Sequence, residues 1–428
     1  MAEPGFREIG VVEGFYGRVW DAGERFRFIE ALLPFGLNTY LLCPKHEPPL
    51  AHDVMGPLSC EERARLGDFA GFCVGKRVKP WAGLHLEPPL DVTNQAHLAA
   101  AAEKCRALAD LGFSGFVLQF DDISADSEAA RAFGGSLAAL QAHASGKILQ
   151  EARALGVAAD WLVVPALYAL DPILEKLYGP FEPDYLARLD EGLPGEVALI
   201  YSGPRVCAPA ISLADLAEWR GNSRREVVLW DNYPVNDAAM VNNLHLSPLT
   251  GRAPELPSQI RGYLFNPLLQ PALGVLPGAT CLAYASNPAG YTGETGWREA
   301  LAAFLPEEAA GAFTELEALT RRCCLVEFLT KAAFPAGAPL ATRLEQAWAE
   351  GQKGATPPLE LIEAFRDVLT TLDAHLPEAM KKEAAPWLER LGHAQAIFAA
   401  RAKGGNSIQQ EAAYQQYNEW VLGQWFQP

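Results

Sequence analysis

Eight short apolar runs alternate with stretches of helical period from residue 8 to about residue 266, and that alternation leaves few folds open. The runs are EIGVVEG, NTYLLCP, PWAGLHL, GFVLQFDD, DWLVVPA, VALIYSG, EVVLWDN and GYLFNP. Each is rich in β-branched or aromatic residues, the composition of strands. Between them lie Ala/Leu/Glu-rich helical stretches such as AHLAAAAEKCRALADLGF, for which Gly112 is the natural C-terminal stop. Strand followed by helix, eight times over, requires parallel strands covered on both faces. Eight such units, within the roughly 250 residues a barrel takes, suit a closed (β/α)8 TIM barrel better than an open sheet. The expected fold class is therefore α/β, with a catalytic barrel over residues 1–290. After LAYASNPAGYTGETG the chain turns Ala/Leu/Glu-rich with helical periodicity, broken at FPAGAPL, GQKGATPPL and AKGGN. Residues 291–428 are accordingly expected to form a C-terminal α-helical bundle of four to six helices.

Polar and aromatic residues gather where these strands end: Glu13 to Gly17, Lys45, His85 and Glu87, Asp121 and Asp122, Tyr168, Ser202, Trp230 to Asn232, and Asn266. In a barrel of this kind the C-terminal rim carries the chemistry, because its loops are free of packing duty. That distribution points to an enzyme. The net charge of −17 argues against a nucleic-acid or acidic-membrane partner, since phosphate binding needs a basic surface. No basic start followed by an apolar run marks a secretory signal, and no run is apolar enough to span a bilayer. The eight cysteines, at 43, 60, 73, 105, 207, 281, 323 and 324, show no CxxC pair and no zinc spacing. Reduced, mostly buried thiols and a cytoplasmic location are the expectation. The histidines likewise lack metal spacing, and no phosphate loop, GxSxG or HExxH is present, so no cofactor and no metal are expected.

The stretch LQFDDIS, residues 118–124, ends a strand in two adjacent carboxylates, Asp121 and Asp122. One could cap a helix and the other face solvent. Set among other rim groups, the pair reads instead as catalytic. Two neighbouring acids cannot easily both ionise in a partly buried site, so one serves as acid while the other stays anionic. Cleavage of a glycosidic bond asks for that combination. Adjacent residues sit too close to work from opposite faces of a sugar, however. A substrate that supplies its own nucleophile removes the difficulty. An N-acetyl group on C2 reaches C1 within the same ring, and such intramolecular attack carries effective molarities on the order of 10^5–10^8 M.

Four blocks in order, GVVEGFYGRVW, NTYLLCPKHEP, FDDIS and LWDNYPVND, resemble family 84 of the glycoside hydrolases, the O-GlcNAcases and related β-N-acetylglucosaminidases, some of them hyaluronidase-like. The resemblance implies a retaining, substrate-assisted exo-β-N-acetylglucosaminidase that works through an oxazoline intermediate. It implies that Asp121 holds and polarises the acetamido group. Asp122 is the general acid that later becomes the base. By the same resemblance Gly14, Lys45, Asp237 and Asn266 bind sugar hydroxyls, and Asn232 lies near the reacting end. Tyr168 and Trp230 wall the N-acetyl pocket. Each has a plainer alternative: Lys45 as a solvated loop lysine, Tyr168 and Trp230 as core packing, Asp237 as a helix cap. Phe15 and Tyr16 read equally as shell packing or contacts.

The chain departs from the family in two places. Where the family often reads Pro-Thr-Glu-Tyr this sequence has PALY, so Ala166 and Leu167 replace Thr and Glu and Tyr168 alone carries over. Where it tends to read Trp-Thr-Gly-Pro this chain has YSGPRV, in which Ser202 keeps a hydroxyl and Val206 can still line the pocket. The expected substrate is a β-linked N-acetylglucosamine on Ser or Thr of proteins. Hyaluronan or chitin fragments, or an inactive lectin-like barrel that only binds the sugar, are the alternatives. The helical unit could wall the aglycone groove or serve as a homodimer contact.

Overall fold

The computed structural model describes residues 5–86, 91–124, 130–131, 133–221, 223–321, 339–351 and 355–403. Eight strands form a closed parallel barrel: β1 (Glu8–Glu13), β2 (Thr39–Leu42), β3 (Lys79–His85), β4 (Gly115–Gln119), β5 (Asp160–Val164), β6 (Ala198–Tyr201), β7 (Val227–Asp231) and β8 (Gly262–Phe265). Each pairs with the next, and β8 closes on β1 in the register Glu8 to Gly262. Nearly every strand residue is buried, as strands sandwiched between a barrel interior and a helical layer must be. The interior is filled by Val12, Leu41, Trp81, Val117, Leu162, Ile200, Val228 and Leu264.

The intervening helices begin on local sequence signals. Asp21 with Glu24 forms a reciprocal capping box at the head of α1 (Ala22–Leu32), and Ser59 with Glu62 does the same for α2 (Cys60–Gly75). α3 (Gln95–Ala109) starts on an Asn94 cap and is followed by Gly112 with a left-handed φ of +107°. Next come α4 (Leu137–Ala154), α5 (Pro172–Tyr178), α6 (Tyr185–Gly192), α7 (Leu213–Arg220) and α8 (Pro271–Ser286). Then follow α9 (Gly293–Phe304), α10 (Glu307–Arg321), α11 (Pro339–Gly351), α12 (Leu359–His375) and α13 (Glu378–Ala402).

By compactness the chain forms two units. One comprises residues 1–235, 251–269 and 281–291, and the other 236–250, 270–280 and 292–428. In the second, α12 packs on α10 and α13. Glu383 of α13 accepts the backbone N–H groups of Ala272 and Leu273 at 3.1 and 2.9 Å, which satisfies donors at the start of α8. Trp387 donates its indole N–H to the Asn242 carbonyl at 3.0 Å.

Two carboxylates at strand ends are fully engaged inside the barrel unit. Glu13, ending β1, accepts from Arg25 of α1 at 2.7 and 2.8 Å and from the Tyr40 hydroxyl of β2 at 2.6 Å. Asp231, ending β7, accepts from Arg252 at 2.6 and 2.8 Å and from the Tyr263 hydroxyl of β8 at 2.8 Å. Both are strand acids gripped by a bidentate guanidinium and a phenol from the next strand. Burial pulls each guanidinium down, but its carboxylate outweighs that and leaves Arg25 and Arg252 above the ordinary arginine range. These acids are structural. Of the rim groups expected to carry chemistry, Glu13 and Asp231 are instead spent on joining neighbouring strands.

Candidate active site

β4 delivers the Asp121–Asp122 pair to the rim, and the backbone there departs from a strand. Asp122 has a left-handed φ of +61°, an arrangement that costs about 1–2 kcal/mol in an L-residue and that Asp tolerates better than most. In an extended chain adjacent side chains point to opposite faces. The turn at Asp122 breaks that alternation, and the charges of both acids bear on the same three phenols, Tyr16, Tyr168 and Tyr178.

Each acid has its own partners. Asp121 is ion-paired through Oδ2 with Lys45, both nearly buried at 10% and 7% exposure. Its Oδ1 is buried and accepts nothing from the protein. Burial by itself would lower the Lys45 ammonium, but the charges of Asp121 and then Asp122 overcome it and hold the group above the ordinary lysine range. Behind Lys45 stands His85, the last residue of β3, with Nδ1 at 3.3 Å from Nζ and Nε2 at 3.4 Å from the Cys43 carbonyl. Burial, and then the Lys45 charge, hold the imidazole well below its ordinary value. A neutral ring that accepts at Nδ1 and donates at Nε2 meets both neighbours.

Asp122 is held by hydroxyls. Tyr16 donates to its Oδ2 at 2.7 Å and Tyr168 to its Oδ1 at 3.0 Å. Burial, followed by the Asp122 charge, raises the pKa of Tyr16, Tyr168 and Tyr178, so all three remain protonated donors across the physiological range. Tyr16 therefore contacts the acid, whereas its neighbour Phe15 packs against Trp20. His46 is an exposed residue whose ring lies 6.3 Å from that of Tyr16.

A second group is apolar with polar edges. Tyr168 and Trp230 belong to the buried cluster that fills the barrel, and the half-buried Val206 and Tyr178 pack against it. Trp230 donates its indole N–H to Asn232 Oδ1 at 2.8 Å, and Asn266 donates to the same oxygen at 3.0 Å. Asn232 donates in turn to the Val206 carbonyl at 2.8 Å. Asn266 Oδ1, like Asp121 Oδ1, is buried with no protein partner. Gly14 is required by close approach: a Cβ there would lie 2.2 Å from the Trp230 ring. Ser202 is buried at the end of β6, with its N–H donated to the Tyr168 carbonyl at 2.9 Å.

Asp237 falls in the second unit, half-buried at the head of a 3-10 turn over residues 238–240, and its side chain does not cap that turn. Glu87 lies outside the described residues. Among the described residues no group of three or more His, Cys, Asp or Glu is arranged to hold a metal ion, and no helix is long and apolar enough to cross a membrane. The sequence left Tyr16 undecided and did not single out Tyr178. Tyr178 ends a short helix in a loop of no recognisable motif, so nothing local marks it.

Comparisons with known proteins bear on the family and the fold. The family model for beta-N-acetylglucosaminidase matches residues 9–318. Protein O-GlcNAcases of Rattus norvegicus and Mus musculus are each 29% identical over 266 residues, 60% of this chain but 28% of theirs. The chain thus aligns with less than a third of the length of those curated relatives. A solved structure of a Thermobaculum terrenum O-GlcNAc hydrolase mutant superposes with a TM-score of 0.81, at 22% identity, over 98% of this chain and 94% of that one. At that identity the likeness speaks to the fold, a TIM barrel followed by helices. With the family model spanning the whole barrel and the paired acids at its rim, the chain belongs to the beta-N-acetylglucosaminidase family of glycoside hydrolases.

Proposed function

We infer that the protein is a retaining exo-β-N-acetylglucosaminidase that removes GlcNAc from Ser and Thr of proteins by substrate-assisted catalysis. One observation carries the reading. Asp121 offers a single open, buried acceptor, while its other oxygen is committed to Lys45. A carboxylate so held accepts the acetamido N–H and polarises the amide. The amide carbonyl oxygen then attacks C1 as the glycosidic bond breaks, and Asp122 gives its proton to the departing oxygen. This forms the oxazoline. In the second step Asp122 takes a proton from water, which opens the oxazoline at C1 with retention.

The remaining groups fit a neutral sugar, which needs fixed hydrogen-bond partners for its hydroxyls and an apolar slot for its methyl. Asn266 and Lys45 supply partners, with Asp237 assigned to the far hydroxyls by the resemblance. Tyr168, Trp230 and Val206 supply the slot. The protein aglycone is favoured by the names of the relatives, protein O-GlcNAcases, and a cytoplasmic setting fits the reduced thiols.

The test is hydrolysis of an aryl β-GlcNAc, its inhibition by a thiazoline mimic of the oxazoline, and slower turnover when the N-acetyl becomes N-trifluoroacetyl. Equal rates for the two acyl groups would refute internal attack. Competition between a GlcNAc-modified protein and a chitin or hyaluronan oligomer decides the aglycone.

A further inference from the structure

The loops that follow β5 and β6 are joined by one side chain that the catalytic reading does not use. The two strands continue their parallel pairing past their ends, with Ser202 donating to the Tyr168 carbonyl at 2.9 Å and Ala169 bridged to Gly203. Gly203 then turns away with a φ of +115°, a conformation suited to glycine, and carries the chain toward Val206. There Asp171 intercepts it. Asp171 Oδ2 accepts the Val206 N–H at 3.1 Å, and its Oδ1 accepts the Ile173 N–H at 3.1 Å as the cap of α5. The Val206 backbone is thus held on both sides of its Cα, by Asp171 at its N–H and by Asn232 at its carbonyl. Asn232 is the residue to which Trp230 and Asn266 donate.

We propose that Asp171 is a positioning residue that sets the depth of the N-acyl slot by pinning Val206 opposite Tyr168 and Trp230. The proposal rests on the glycosidase reading above. Val206 is half-buried against the cluster that contains Tyr168 and Trp230, on a loop outside the strands, and these two hydrogen bonds hold its backbone there. The side chain of Asp171 is 16% exposed and reaches both loops, whereas Arg205, paired with its Oδ1 at 3.3 Å, is 55% exposed. The ion pair is therefore the dispensable part, since exposed pairs contribute little. The consequence is a selectivity for the short acyl chain that comes from hydrogen bonds made by the wall and not from contacts made to the substrate.

The experiment compares kcat and KM for aryl β-glucosaminides carrying N-acetyl, N-propionyl and N-butyryl groups. Asp171→Ser keeps a helix cap for α5, and with it the seat of Tyr178, but is too short to reach Val206. It is expected to lower the N-acetyl over N-butyryl preference in kcat/KM at least fivefold, with the change in KM for N-acetyl larger than that in kcat. Arg205→Ala should retain the wild-type preference. If Asp171→Ser does not fold, Asp171→Asn, which keeps the Ile173 acceptor and turns an NH2 donor toward the Val206 N–H, is expected to shift the ratio in the same direction. Wild-type turnover with an unchanged acyl ratio in both Asp171 variants overturns the strap alone. So does an equal shift in Arg205→Ala. No wild-type turnover of the N-acetyl substrate overturns the glycosidase reading, and the strap with it.

Discussion

Two pairs of rim acids sit in one barrel and do opposite things. Glu13 and Asp231 end their strands with every oxygen taken by an arginine or a tyrosine. Asp121 and Asp122 are held just as firmly, but one oxygen of Asp121 is left open. In the first pair a guanidinium neutralises the acid completely and leaves no direction for a ligand. In the second, a lysine takes one side of one acid and phenols orient the other. Saturation makes a joint between strands, and incomplete saturation leaves an acceptor open. The difference lies in the partners.

The comparison breaks most clearly at Asp121. Asp121→Asn is expected to lower kcat by roughly 10^3-fold even on activated aryl glycosides. Near-normal turnover there would remove the residue from the chemistry. Asp122→Asn should cost roughly 10^2–10^3-fold on substrates with poor leaving groups and much less on activated ones, measured as a leaving-group series. A uniform loss contradicts its assignment as the acid. The joint behaves the other way. Arg25→Met leaves Glu13 buried and unpaired and should destabilise the fold by about 3–5 kcal/mol in urea titration, while the enzyme that remains folded keeps its leaving-group dependence.

The smallest effect concerns pH and sharpens the contrast between Lys45 and the arginines. His85 stays neutral in the folded protein while it titrates near its ordinary value of 6.5 in the unfolded chain. As pH falls below that value the unfolded state takes up a proton that the native state refuses. Stability is therefore present above pH 6.5 and declines as the solution is acidified, by up to about 1.4 kcal/mol per pH unit from this residue. His85→Asn should flatten the stability curve between about pH 5 and pH 6.5, a window above most carboxylate titration. An unchanged slope would mean that the imidazole is charged in the native protein.

The barrel was legible in the sequence because its strands are buried on both faces and so stand out as apolar runs. The Asp-Asp pair was legible because two adjacent acids after such a run have little structural use. The division of labour among the acids was not. Glu13 meets Arg25 12 residues on and Tyr40 27 residues on, while Asp231 meets Arg252 and Tyr263 across 21 and 32 residues. Those separations match no local pattern, and only the pairing of β1 with β2 and of β7 with β8 brings the groups together. Asp171 was hidden for the same reason: its partner Val206 is 35 residues away. His85 was visible as a rim histidine, but its service to Lys45 depends on β3 running past the end of β2, where Leu42 pairs with Ala82, to reach the loop that carries Lys45.

Residues 236–250 and 270–280 group with the helices even though barrel segments flank them on both sides in the chain. The polypeptide enters the second unit three times, so no single cut yields either unit whole. A truncation at residue 291 would strip away most of the helices and strand two of their segments on the barrel fragment. Neither part could be exchanged between proteins as one continuous cassette. Recombination within such a chain has to carry both units together.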